Sequence, residues 1–154
     1  MHLIDTSDLM AAYTSSLQAL FPSLKALPRY EKVMLIDQNE VDLFIAHTLI
    51  LDSMFATNVE VESNSQLAVE RLKSANYRQL PDIIFLDIVV MNDEHYNFML
   101  KFSELPEMVR EKCKFIIMSE KYNKEERIMA LMSPYVIGYL IKPLDSLHFR
   151  EFTN

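Results

Sequence analysis

Glycine is almost absent from this chain: Gly138 is the only one in 154 residues. Loops that cradle phosphates need several glycines to bring backbone amides close to the ligand, so Walker-type and dinucleotide-binding loops are excluded. Cysteine is equally scarce. Cys113 alone cannot form an internal disulfide, and no zinc-ligand spacing occurs, which points to a reducing cytoplasm. Basic runs are missing as well. With 15 Lys and Arg against 22 Asp and Glu the net charge is −7, and the scattered cations argue against a nucleic-acid surface. No stretch approaches the roughly 18 apolar residues that span a bilayer, and the N-terminus lacks the basic start and apolar block of a signal peptide. The expectation is a cytoplasmic protein without membrane contact. His2, His47, His95 and His148 are spread along the chain with no metal or catalytic spacing, so they read as structural.

What the chain does have is alternation. From Lys32 onward, short β-branched and aliphatic runs alternate with stretches of helical period, the pattern of a parallel sheet covered on both faces. Strands are predicted over 32–36, 58–62, 82–86, 114–118 and 138–141, and helices over 40–54, 65–75, 94–104, 124–132 and 145–152. The length suits one domain with a real core. Residues 1–31 stand apart as a helical extension before the domain at 32–154: Leu9, Met10, Tyr13, Leu17, Leu20, Phe21 and Leu24 recur at helical intervals, and Pro22 and Pro28 break or end the helix. The last helix is short, with Leu147, Phe149 and Phe152 beginning an apolar face. The extra helix is expected to cover apolar surface that a longer last helix would hide, in its own molecule or in a partner's.

Four polar residues follow directly on apolar runs: Asp37 after KVMLI, Asp87 after IIFL, Ser119 after FIIM and Lys142 after YLI. In an open parallel sheet these positions fall at the carboxyl ends of strands, where such folds place their ligands. An aspartate there is often only a cap or a turn residue, but four polar groups at one end make a site the better reading. Asp37 and Asp87 can hold a hard divalent cation, since Mg²⁺ takes oxygen ligands and often only one or two carboxylates. With a metal and Lys142 neutralising phosphoryl oxygens, a carboxylate can act as nucleophile and form an acyl phosphate. Asp87 follows the central strand and is the better nucleophile candidate. A hydrogen bond from Ser119 to the new phosphoryl group would exist only in the modified state, and would shift a conformational equilibrium.

These residues carry a resemblance. LIDQNEVD, IIFLDIVVMND, IIMSE and GYLIKPL stand in order and at family-like spacing, and the chain from Lys32 to Phe152 resembles the receiver domain of two-component response regulators. The resemblance implies an α/β fold: a flavodoxin-like, doubly wound, five-stranded parallel sheet with helices on both faces, to which this chain adds an N-terminal helix. It implies phosphorylation of Asp87 by a sensor histidine kinase or a phosphotransfer protein, with Mg²⁺ as cofactor. Asp37 and Asp87 would be its ligands, joined by the Val89 backbone carbonyl and, weakly, by Gln38. Ser119 takes the place of the hydroxyl switch, Tyr139 of the aromatic switch and Lys142 of the phosphate-contacting lysine. Pro143 resembles the family's cis proline.

Three departures from the family pattern, at four positions, surround the pocket. Gln38 replaces the second acidic residue, Met91 and His95 stand where a proline and a glycine are usual, and Glu120 replaces a small residue after the switch hydroxyl. Metal binding should weaken, and a bulky anion beside an incoming phosphoryl group should hinder it. The expected function is a stand-alone response regulator, not an enzyme, that signals to a downstream protein by contact. The face of the last two helices and strands is expected to carry that partner. A second copy, through the N-terminal helix or the last two helices, is a further candidate partner. One alternative is a pseudo-receiver acting as a phosphorylation-independent binding module. The other is a small hydrolase using Asp87, for which the chain offers neither a substrate cap nor a second acid.

Overall fold

The computed structural model describes residues 6–20 and 28–150. Strands β1 (Tyr30–Ile36), β2 (Ala56–Glu62), β3 (Ile83–Asp87), β4 (Lys114–Ser119) and β5 (Val136–Ile141) form one parallel sheet in the order β2-β1-β3-β4-β5. This is the doubly wound, flavodoxin-like sheet that the sequence predicts, with every strand boundary within two residues of its expected place. Alternate residues of each strand face opposite sides. Met34, Ile36, Ile84 and Leu86 enter a core shared with α3 (Ser65–Ser74), α5 (Phe98–Ser103) and α7 (Lys124–Leu131). Val33, Leu35, Ile83 and Phe85 enter a second core, shared with α2 (Glu40–Asp52) and α8 (Ser146–Arg150). Burial on both faces explains why these strands read as unbroken apolar runs.

The helices differ from expectation in three places. The predicted helix at 94–104 is shortened to α5, and a single turn, α4 (Ile88–Met91), begins immediately after Asp87. A further helix, α6 (Glu107–Lys112), follows Pro106 and was not predicted, because its six residues bury only Val109 and show no period. Helix α2 stops at Asp52, where Ser53 caps it and Met54 turns to a φ of 59°.

The extra helix α1 (Thr6–Leu20) forms as expected, but Leu9, Met10, Tyr13 and Leu20 are each more than half exposed. Leu17, on the same helix, is half-buried. Phe21, Leu24 and Phe152 lie outside the described residues. In α8, Phe149 is buried against Phe55 and Phe85 with ring centroids 5.3 and 5.8 Å apart, whereas Leu147 points outward. One buried aromatic therefore anchors the short helix to the sheet. Among the described residues no helix is long and apolar enough to cross a membrane.

Candidate functional site

The chain runs from β1 outward to β2 and then returns across β1 to β3, so the strand order reverses between β1 and β3. The carboxyl ends at such a reversal leave a crevice. Ile36 pairs with Leu86, which sets the next residues, Asp37 and Asp87, side by side at its floor. Each carboxylate is oriented by an amide two residues on, in the manner of an Asx turn. The Asn39 amide donates to Asp37 Oδ1 at 2.9 Å and the Val89 amide to Asp87 Oδ1 at 2.8 Å. Their second oxygens meet on one cation, with Lys142 Nζ 2.6 Å from Asp37 Oδ2 and 2.7 Å from Asp87 Oδ2.

Lys142 reaches this position from beyond the end of β5. Its amide donates to the Ser119 carbonyl at 2.8 Å, continuing the ladder between β4 and β5, and the Lys142–Pro143 peptide is cis, as the resemblance implies. A third carboxylate completes the cluster: Asp42 Oδ2, in the first turn of α2, lies 2.9 Å from Nζ. The Asn39 side chain fixes that turn by accepting the amides of Val41 and Asp42. An ammonium group has three N–H donors, and here each meets a different carboxylate. The side chains of Lys142, Asp37 and Asp87 are 9 %, 5 % and 8 % exposed, against 27 % for Asp42 at the mouth.

Burial pushes the Asp37 carboxyl above its ordinary value, against the pull of the Lys142 bond and the Asn39 amide, and the Asp87 charge adds to the rise. For Lys142 burial works the other way and would lower it, but the bonds from Asp37, Asp87 and Asp42 outweigh burial and hold it above the usual lysine value. It is therefore a fixed cation at neutral pH.

Ser119 and Tyr139 lie together beside this cluster. The Ser119 hydroxyl donates to the Lys121 carbonyl at 2.9 Å, and the Tyr139 hydroxyl donates to the same carbonyl at 3.3 Å. The Tyr122 ring stands edge-on to Tyr139, centroids 6.5 Å apart. Gln38 and Glu120 are exposed, as are His95 in the turn before α5 and Val89 on α4.

Among the described residues, no three carboxylate, imidazole or thiol groups are arranged to hold a metal ion directly. The carboxylate oxygens converge on Lys142 instead. Two oxygens that already share one cation still suit Mg²⁺, which needs only one or two protein carboxylates and keeps several waters. Ion and ammonium would compete for the same oxygens. Asp42 is the residue that sequence reasoning missed. An acidic residue in the first turn of a helix reads as a complement to the helix dipole, and nothing local ties it to a lysine 100 positions away.

No protein-family model and no curated protein matches the chain. Solved structures do. A response regulator receiver protein from Dyadobacter fermentans DSM 18053 is 28 % identical with a TM-score of 0.70, over 79 % of this chain and 94 % of that one. A two-component response regulator from Cytophaga hutchinsonii is 21 % identical, also at 0.70, over 80 % of this chain and 93 % of that one. A response regulator from Thermotoga maritima shares the fold at a TM-score of 0.61 and 21 % identity, over 79 % of this chain and 92 % of that one. The receiver resemblance carried by four short motifs is thus matched in three dimensions, and the chain has the receiver-domain fold of two-component response regulators.

Proposed function

We propose that Asp87 accepts a phosphoryl group from a sensor histidine kinase or a phosphotransfer protein, and that the domain passes the signal on by protein contact. The observation that supports this best is the setting of Asp87. It is a buried carboxylate with one oxygen fixed by the Val89 amide and the other on a lysine 2.7 Å away. In the reaction a carboxylate oxygen attacks phosphorus, the N–P bond of the phosphohistidine breaks, and the imidazole leaves with the bonding pair and takes a proton from water. The product is an acyl phosphate. Lys142, freed from the oxygen that has lost its charge, turns to the phosphoryl oxygens. Mg²⁺, held by Asp37 and Asp87 with the Val89 carbonyl and, weakly, Gln38, would supply further neutralisation of phosphoryl charge.

Ser119 would leave the Lys121 carbonyl for a phosphoryl oxygen, and Tyr139, which shares that carbonyl, would lose its neighbour there. Two hydroxyls on one acceptor give a two-position element that phosphorylation can bias. The downstream partner would read the face of α7 and β5, where Met129, Met132 and Ile137 are exposed. A second reading, a phosphorylation-independent module, is favoured by the exposed Gln38 and by a lysine that already neutralises the pocket. Intact mass after incubation with Mg²⁺ and a small acyl-phosphate donor separates the two. A phosphate-sized gain that vanishes in Asp87→Asn supports the receiver reading; no gain by the folded protein supports the module.

A further inference from the structure

We infer that Asp42 is a positioning residue for Lys142: the carboxylate that retains the ammonium when a cation enters between Asp37 and Asp87. This rests on the proposed function, because it concerns how that same pocket admits its metal. All three ammonium protons are engaged, at 2.6, 2.7 and 2.9 Å, so a second cation entering at the Asp37 and Asp87 oxygens meets the Lys142 charge and competes with it for them. A buried ammonium released without a partner would bear the full cost of an unpaired charge. Asp42 removes that cost. It belongs to a different element, α2, and its side chain is the most exposed of the three, so it sits on the solvent side of the exchange.

The Asn39 cap holds the first turn of α2 in place whether or not the ammonium moves, so the Asp42 anchor does not depend on the occupant of the pocket. Lys142 then moves between the pocket oxygens and a fixed anion at the mouth, and never has to be desolvated alone. Gln38, on the loop between Asp37 and that cap, is exposed and neutral and cannot serve as this anion.

The test is the Mg²⁺ dissociation constant of the full chain, by calorimetric titration, in the wild type, Asp42→Asn, Lys142→Met and the double variant. Asp42→Asn should weaken Mg²⁺ about tenfold in the wild-type background, the scale of one lost ammonium–carboxylate pair a few ångströms apart near the protein surface. In the Lys142→Met background, where there is no ammonium to retain, the same change should weaken it less than about twofold. Equal weakening in both backgrounds would make Asp42 a plain source of charge and overturn the inference, as would no weakening in either. A wild type that binds no Mg²⁺ even at tens of millimolar would overturn the metal-assisted reading itself, and this inference with it. Should circular dichroism show the Lys142→Met pair unfolded, the Lys142 ammonium ¹⁵N–¹H signal gives the same answer. It should persist at saturating Mg²⁺ in the wild type and exchange away in Asp42→Asn; persistence in both would overturn the inference.

Discussion

Strand β3 has an aspartate at each end, and the two are bound differently. Asp82, just before the strand, accepts the amides of Glu31 and Lys32 through Oδ2 at 3.2 and 3.3 Å, with Lys112 a looser 3.8 Å from Oδ1. Asp87, at the other end, gives one oxygen to the Val89 amide and the other to the Lys142 ammonium. Backbone amides cannot leave without unfolding the strand they belong to, whereas a lysine at the end of a four-carbon stem can. The amino end therefore latches β1 to β3, and the carboxyl end holds a bond that can be exchanged. Exposure follows the same division, at 30 % for the Asp82 side chain and 8 % for Asp87. Desolvation makes the buried charge costly to leave unpaired and so makes its partner consequential.

Removing that partner should have the largest effect. Lys142→Ala leaves Asp37 and Asp87 facing each other without a cation, and should cost about 3 kcal/mol, a melting temperature roughly 10 °C lower. Mg²⁺ should recover part of the loss. Melting curves with and without the ion check both statements, and an unchanged midpoint would mean that the lysine does not hold the pocket together.

The amino end offers a smaller effect, set by pH. Cys113 is fully buried beside Pro81, its thiol 3.2 Å from that carbonyl, and burial pushes it up from 9.0 to about 12. A raised value means that the folded state favours the protonated thiol. The stabilisation is present below about pH 9 and is lost as pH rises towards 12. Between pH 9 and 10.5 the wild type should lose about 1.5 kcal/mol more than Cys113→Ala, read from urea denaturation. Equal losses would contradict it.

The smallest change is expected at Asp82. Its bonds are partly solvent-exposed, so Asp82→Ala should cost about 1 kcal/mol in the same urea assay and leave phosphoryl acceptance unchanged. A loss of acceptance would erase the distinction between the two ends.

The sheet was legible because parallel strands buried on both faces keep little but apolar residues, so KVMLI, IIFL and FIIM stand out. Asp37, Asp87, Ser119 and Lys142 were legible for the same reason, since each interrupts such a run where the strand meets solvent. Asp42 was not, because its partner lies 100 residues away and its helical position has an adequate local explanation. Nor was α6, six residues with one buried side chain, too short to show a period. The amphipathic spacing of α1 foretold a helix but not the fate of its apolar face. Burial is a property of what packs against a helix, and Leu9, Met10, Tyr13 and Leu20 remain more than half exposed.

The contrast between the two ends of β3 can be tested on one peptide. Borohydride reduction of the protein after incubation with Mg²⁺ and an acyl-phosphate donor converts an aspartyl phosphate to homoserine, and peptide sequencing by mass spectrometry locates it. The account predicts homoserine at position 87 and an unmodified aspartate at 82. Homoserine at 82, or a phosphate gain that leaves position 87 unreduced, would contradict it.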